Sequence, residues 1–435
     1  MLFRFAAALS ICLSSFLTSC LQADEFNWRK EEGARKLRTS AALVKGYKVL
    51  AAAVQNYPEN RKCFSCHHQT LPLLAFSLRD SNLKRSIKFS NSVGTRGVID
   101  FTVSSFEAKR PQLLDGAKID GGALAVGYGL WAMEIAREKP NDTTNAMVQY
   151  LLKTQAEDGG WELDSVRPPA SSSRAMATAV AYLGLIKYGL NSSLDQTQVR
   201  TALKQAAKWS ATLETPADHE DLVGMLWLSY LVRNSDMDIL LGIEQKDTDE
   251  LPGAGMKDSM EGGMGMEGGM GMGGMGMGGM DGHFMSITLA LSKPLRKQLQ
   301  QSQRDDGGWG QNNDLPSDAY ATGMALLIDD QTASRYKGRT GLSWEKRNEA
   351  IDFLLSTQEE DGSWRVESRV VPIRTFFDNG DPHGKDQFIS MMATSWAVAA
   401  LASYRGDHHE PLDDSHSGPM IDDPKSYGGA SWKLK

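Results

Sequence analysis

The stretch that decides the fold is Gln155-Ala156-Glu157-Asp158-Gly159-Gly160-Trp161. The same spacing of Gln, Asp, Gly and Trp returns at 303–309 and at 358–364. Each copy follows a stretch with helical periodicity and precedes a second helical stretch rich in small residues. One unit is therefore predicted to be a helical hairpin, and the repetition predicts that several hairpins stack against one another.

The fixed residues of the turn each have a physical use. The Gly after Asp takes the left-handed backbone conformation that ends a helix, while Gln bonds to freed backbone groups and Trp covers them. Weaker copies without the full turn keep the hairpin period at 41–80, 98–137 and 199–233. About six units can close a ring in which each buries the apolar face that its neighbour cannot bury alone. We expect the small-residue helices on the inside of this ring.

The Gln-to-Trp turns resemble the QW repeats of squalene and oxidosqualene cyclases, and the ring resembles that of protein prenyltransferase β subunits. This resemblance implies an all-α fold, an α/α toroid over 24–403, with a central apolar cavity for an isoprenoid-like or other lipid ligand. The Asp-x-Asp-Asp acid of squalene-hopene-type cyclases is absent from the sequence. The prenyltransferase zinc ligands come from later units, whereas both cysteines after residue 20 lie in the first unit. The same ring serves unrelated activities, so the reaction stays open.

The N-terminus predicts export. An apolar run over 5–17 is too short to span a bilayer and suits a secretory signal peptide at 1–20. The run ends in Leu-Thr-Ser-Cys20, which resembles the lipobox of bacterial lipoproteins, whereas cleavage near Ala23 is the alternative. We expect a periplasmic protein or a cell-envelope lipoprotein attached through Cys20. The net charge of −7 and the lack of a basic run argue against nucleic acid as a partner.

Two cysteines remain beyond the signal region, in the motif Cys63-x-x-Cys66-His67. It matches the attachment signature of c-type haem, in which two thiols bond the porphyrin vinyl groups and the adjacent His ligates iron. Two alternatives stay open: a zinc site formed by Cys63, Cys66, His67 and His68, and a local disulfide. The motif thus predicts a redox or metal centre in an exported protein.

The motif stands where the first unit should have its Gln-to-Trp turn. A ring places unit one beside unit six, whose insertion over 365–387 contains Asp381-Pro-His383-Gly-Lys-Asp386. We therefore expect both segments on one rim, with His67 and His383 as the two axial haem ligands or as ligands of another metal. The alternative for His383 is a turn residue between Pro and Gly. Because His68 cannot easily reach the opposite haem face, we interpret it as a group that supports His67.

Other polar residues are weaker candidates. Asp318 and Asp386 begin predicted inner helices, where a carboxylate is usually a cap and only sometimes a catalytic acid. His219 and Tyr182 are candidates for the ring interior, with ordinary packing as the alternative. A threonine recurs at one position of the inner helices, which favours a structural role: Thr178, Thr322 and Thr394.

Two segments are predicted not to fold. Residues 252–283 are a Met/Gly-rich, low-complexity loop between units four and five; methionine thioethers suit Cu(I), so copper capture is the alternative to a plain linker. The tail 404–435 is predicted to be disordered. Three functions remain: a haem-bearing redox protein, an isoprenoid cyclase or transferase with another acid, and a non-catalytic scaffold at the cell envelope.

Overall fold

The computed structural model describes residues 2–78, 95–235, 292–333, 341–370 and 377–406, with side chains before residue 29 excluded. The Met/Gly-rich segment 252–283 and the chain from residue 407 lie outside the described residues. The expected start of the tail at residue 404 is wrong, because the last helix continues to Gly406 and buries Tyr404. Within the described ranges, no helix has the length and apolarity needed to cross a membrane.

The helices in chain order are α1 (Leu2–Asn60), α2 (Thr70–Ser77), α3 (Thr95–Glu107), α4 (Arg110–Asp115), α5 (Gly122–Ile135), α6 (Asp142–Thr154), α7 (Arg174–Gly184), α8 (Gln196–Ser210), α9 (His219–Arg233), α10 (292–301), α11 (Ala319–Thr332), α12 (Trp344–Ser356) and α13 (Gln387–Gly406). A π-helical turn, Leu185–Gly189, continues α7, and a 3₁₀ turn, Gly384–Asp386, precedes α13. The short strands β1 (Trp309–Gly310) and β2 (Ser317–Asp318) pair antiparallel.

Six helices form a closed inner ring in the order α2, α5, α7, α9, α11 and α13. Each packs against the next, and α13 packs back against α2. Small residues allow these close approaches: a Cβ on Gly127 of α5 would lie 2.6 Å from Val180 of α7. The remaining helices are the outer partners of the hairpins. The prediction of an all-α toroid of about six hairpins is therefore confirmed.

The Gln-to-Trp turns join neighbouring hairpins as predicted. Gly159 has φ 100°, and the side-chain amide of Gln155 donates to the carbonyls of Gly159 (2.8 Å) and of Ala202 in α8 (2.9 Å). The buried Trp161 indole donates to Leu151 O at 2.9 Å, while its backbone N–H donates to Thr178 Oγ1 at 3.1 Å. The turn therefore satisfies its own freed backbone groups and also one backbone carbonyl of the next outer helix.

The third turn closes the ring. Gln358 donates to Gly362 O at 3.0 Å and to Ala42 O of α1 at 2.9 Å, which joins hairpin six to hairpin one. Arg35 of α1 adds an ion pair to Asp352 of α12 at 2.9 Å. The structural role of the recurring threonines is confirmed, because each accepts the Trp backbone N–H of its turn: Thr178, Thr322 and Thr394.

Aromatic side chains fill the centre of the ring. The ring centroid of Trp131 lies 4.7 Å from that of Trp227 and 6.5 Å from that of Trp396. An apolar cleft opens where the inner helices end, between Leu74, Trp131 and Leu231. The volume that the centre of a water molecule can occupy within this cleft is only about 40 Å³. This cleft has room for a few waters, which is less than an isoprenoid chain needs.

Candidate functional site

The cysteine motif forms the loop between α1 and α2, where the inner helices begin; this end of the ring is named the N-terminal rim. The loop folds on itself, since Ser65 N–H donates to Gln69 Oε1 at 2.7 Å and Leu71 N–H donates to Cys66 O at 3.0 Å. It occupies the place of a Gln-to-Trp turn in hairpin one. Its loop position between an outer and an inner helix agrees with the sequence prediction.

The two thiols have different surroundings. Cys63 is exposed, with its Sγ 3.6 Å from the Tyr57 hydroxyl. Cys66 is half-buried; burial, reinforced by the negative charge of Glu220, raises the pKa of its thiol to about 12. Both cysteines are free, so the local disulfide is not formed in this structure.

Two adjacent histidines connect the loop to the insertion of hairpin six. Nδ1 of His67 is hydrogen-bonded to Nδ1 of His68, and Nε2 of His68 lies 2.7 Å from Oδ2 of Asp381. Burial raises the pKa of Asp381 to about 7 and lowers the pKa of His68 to about 3. Near neutral pH this pair therefore shares one proton in its hydrogen bond and is not an ion pair.

Aromatic rings hold both imidazoles in place. Tyr57 stacks on His68 with ring centroids 4.5 Å apart and planes inclined by 27°. Phe388, at the start of α13, lies 5.0 Å from the ring of His67. The His68 side chain is fully buried, and burial lowers the pKa of His67 well below its usual value. Both imidazoles are therefore neutral, which is the form that binds metals.

The residue of the insertion that reaches the motif is Asp381, where we expected His383. His383 has φ 76° in the turn before α13, and its Nε2 lies 2.6 Å from the Ser363 hydroxyl. Among the described residues, no hydrogen bond or ring contact joins His383 to His67. The two segments are therefore neighbours, as expected, and His383 makes its contact with Ser363; a role of His383 as a second ligand stays a prediction.

The donor set of the loop fits a metal-bearing group in three respects. The thiols belong to one short loop, the His67 imidazole is neutral, and no hydrogen bond among the described residues uses its Nε2 atom. No cluster of three or more His, Cys, Asp or Glu side chains within those residues already has the geometry of a metal site. Because Nδ1 of His67 is bonded to His68, Nε2 is the ring atom that could ligate iron or zinc.

A second polar cluster lies across the N-terminal rim around Glu220, the second residue of α9. Its Oε2 accepts hydrogen bonds from the backbone N–H groups of Ser172 (2.7 Å) and Ser173 (3.0 Å) and from the Ser172 hydroxyl (2.7 Å). Burial nevertheless raises the pKa of Glu220 to about 8. Sequence reasoning missed this acid, because only its surroundings distinguish it from other helix-start carboxylates.

The weaker candidates divide into structural roles. Asp318 is the N-cap of α11, accepting from Ala321 N–H at 2.9 Å, so the cap interpretation is confirmed there. It is wrong for Asp386, which accepts from Ser368 N–H at 3.0 Å and thereby holds the insertion. His219 and Tyr182 make ordinary packing contacts: the imidazole bonds to Ala321 O at 2.9 Å, and the phenol lies 2.9 Å from the Ser235 hydroxyl.

Comparisons with known proteins give structural likeness alone. No protein-family model matches the chain, and no curated protein matches it in sequence. It is similar to a variant of the type II terpene cyclase MstE from Scytonema with its substrate geranylgeranyl dihydroxybenzoate. The TM-score is 0.44 and the sequence identity 12%, and the match covers 86% of this chain and 98% of that one. A second variant, with the product merosterolic acid A, gives TM-score 0.43, 12% identity and the same coverage. The ligand-free enzyme gives TM-score 0.41, 11% identity, and 84% and 98% coverage.

Proposed function

We propose that this toroid protein is exported, carries a c-type haem on its N-terminal rim and acts in electron transfer. Cys63 and Cys66 would hold the porphyrin through thioether bonds, and His67 would ligate the iron through Nε2. When bound, the haem would supply one-electron redox chemistry. The observation that carries the proposal is the hydrogen-bonded connection from buried Asp381 through His68 to His67, in which His67 Nε2 bonds to no described residue.

The surroundings of Cys66 favour haem over zinc. A zinc ligand must be a thiolate, whereas burial raises the pKa of the half-buried Cys66 thiol to about 12. A thioether carries no charge and is compatible with such surroundings. Zinc at Cys63, Cys66, His67 and His68 remains the alternative that the experiment distinguishes.

The test is the intact mass and visible spectrum of the protein purified from an exporting host competent in cytochrome c maturation. We expect a mass gain equal to one haem, about 616 daltons, with a Soret band that survives denaturation. The matched control is the Cys63→Ser, Cys66→Ser double variant, which should be colourless. If the wild type is colourless and contains one equivalent of zinc, the bound group is zinc and not haem. If it contains neither haem nor zinc, the proposal of a metal centre is refuted.

The compartment is part of the same proposal. Thioether attachment to an exported chain agrees with the apolar N-terminal run, and the lipobox-like sequence offers Cys20 as a lipid anchor. The mass of the mature N-terminal peptide separates the two signal types. A diacylated peptide beginning at Cys20 supports a lipoprotein, whereas an unmodified peptide beginning near Ala23 supports a soluble exported protein.

A second candidate function has an observation of its own in Glu220. A buried carboxylic acid whose pKa is raised to about 8, at the N-terminal rim of a ring rich in aromatic side chains, is suited to donate a proton to an apolar substrate, such as an isoprenoid, that reaches this rim. The test is product formation from squalene or a prenyl diphosphate, compared between wild type, Glu220→Gln and Asp318→Asn. Loss of product only in Glu220→Gln supports the cyclase function, and absence of product in wild type argues against it.

A further inference from the structure

A continuous line of hydrogen bonds crosses the seam between hairpins one and six at the N-terminal rim. It runs from Oδ2 of Asp381 to Nε2 of His68 over 2.7 Å, and from Nδ1 of His68 to Nδ1 of His67. Asp381 and His68 are almost completely buried, at 7% and 0% exposure. Because water is excluded, each of these polar atoms depends on the next one in the line.

The connectivity restricts where protons can sit. A neutral imidazole has one N–H, so when Nε2 of His67 binds a Lewis acid, the ring proton must be on Nδ1. His67 can then donate only to Nδ1 of His68, which has to be bare. The His68 proton therefore lies on Nε2 and is donated to Asp381, which accepts it as a carboxylate.

We propose that Asp381 and His68 are positioning residues that fix Nε2 of His67 as the ligating atom. This inference rests on the proposed metal-bearing group at His67. Asp381 acts through His68, so its charge reaches the ligand across two hydrogen bonds. Such carboxylate support behind a ligating His orients the ring and raises its basicity.

The aromatic contacts explain why two histidines are needed. Tyr57 stacks on His68 and Phe388 packs against His67, so neither ring can turn freely. Held in this way, His67 presents Nε2 on the side opposite to His68. Both ring nitrogens of His68 are engaged, Nδ1 with His67 and Nε2 with Asp381, which makes His68 the connection to Asp381 rather than a fourth ligand.

The first test needs no bound group. Histidine-selective ¹⁵N labelling and long-range ¹H–¹⁵N spectra of the metal-free protein report which ring nitrogen carries the proton. Asp381→Asn should change the protonated fraction at both His67 and His68, while the matched variant Glu367→Gln, at an exposed position of the same insertion, should leave both unchanged. Unchanged nitrogen signals in folded Asp381→Asn would overturn the positioning role. If that variant does not fold, His68→Gln tests the same connection through the signals of His67.

The second test uses the loaded protein. Asp381→Asn should raise the haem reduction potential, because the oxidised iron loses a negative charge behind its ligand, and should let added imidazole displace His67 at lower concentration. If zinc is the occupant, its affinity should fall about 10- to 100-fold. A potential and ligand affinity in Asp381→Asn equal to those of Glu367→Gln would refute the inference. A wild type that binds nothing would refute the proposed function, while the ¹⁵N spectra would still decide whether the hydrogen-bonded line exists.

Discussion

The Gln-to-Trp turn of hairpin six and the cysteine loop of hairpin one occupy equivalent places in adjacent hairpins, yet they use their polar groups differently. In the turn, Gln358 and Trp364 direct their side-chain donors to backbone carbonyls. In the loop, two thiols and Nε2 of His67 bond to no backbone group among the described residues. The comparison separates a turn that joins hairpins from a turn that offers ligands.

The largest effect should come from removing a turn tryptophan. Trp364 is fully buried and donates to Leu354 O at 2.8 Å, so Trp364→Ala should lower the free energy of unfolding by about 3–5 kcal/mol. Chemical denaturation followed by circular dichroism measures this change. Trp344→Ala, at a 43% exposed position, is the control and should cost less than about 1 kcal/mol. Equal losses in the two variants would mean that the turn is not what holds the hairpins.

A smaller effect, one that depends on pH, should arise beside the cysteine loop. The pKa of Glu220 is raised from 4.5 to about 8, so the folded state binds a proton that the unfolded state releases between these values. Its stabilising contribution is therefore complete below about pH 4.5 and is lost as pH rises toward 8. We expect wild type to lose about 2–4 kcal/mol across this window relative to Glu220→Gln. Parallel stability curves for the two proteins would show that Glu220 is ionised in the folded state.

Closure of the ring predicts a third, smaller difference. Gln358→Ala removes two hydrogen bonds, one of them to Ala42 in α1, and should cost about 1–3 kcal/mol. The matched variant Gln155→Ala removes the same bonds between hairpins three and four. Hydrogen exchange should show a loss of amide protection where α1 meets α12 only for Gln358→Ala. Identical exchange patterns would imply that the ring does not depend on this closing contact.

The sequence predicted the turns well because their interactions are local or repeated. Gln155 bonds to Gly159 within its own turn, and Trp161 bonds to Leu151 one helix back, so spacing alone shows the geometry. The contact between His68 and Asp381 joins residues 313 positions apart. Ring closure predicted that their segments meet, but side-chain direction decided that Asp381, and not His383, makes the contact.

The ring interior was beyond prediction for a similar reason. Trp131, Trp227 and Trp396 come from three inner helices, and only their relative rotation decides whether they line a cavity or fill it. Glu220 likewise became a candidate acid only when the loop before α7 placed Ser172 and Ser173 against its carboxyl group. Periodicity shows which face of a helix is buried, but it does not show what that face meets.

The smallest expected effect most directly tests the comparison. Cys63 is exposed and its polar contact with Tyr57 is weak at 3.6 Å, so Cys63→Ser should change the stability of the metal-free protein by less than about 0.5 kcal/mol. Thermal unfolding of the metal-free variant measures this. If the stability hardly changes, the metal-free variant is folded like wild type. A loss of haem or zinc in Cys63→Ser then reports on ligation and not on folding. A loss of more than about 1.5 kcal/mol would place Cys63 with the turn residues, because its thiol would then contribute to the stability of the fold itself.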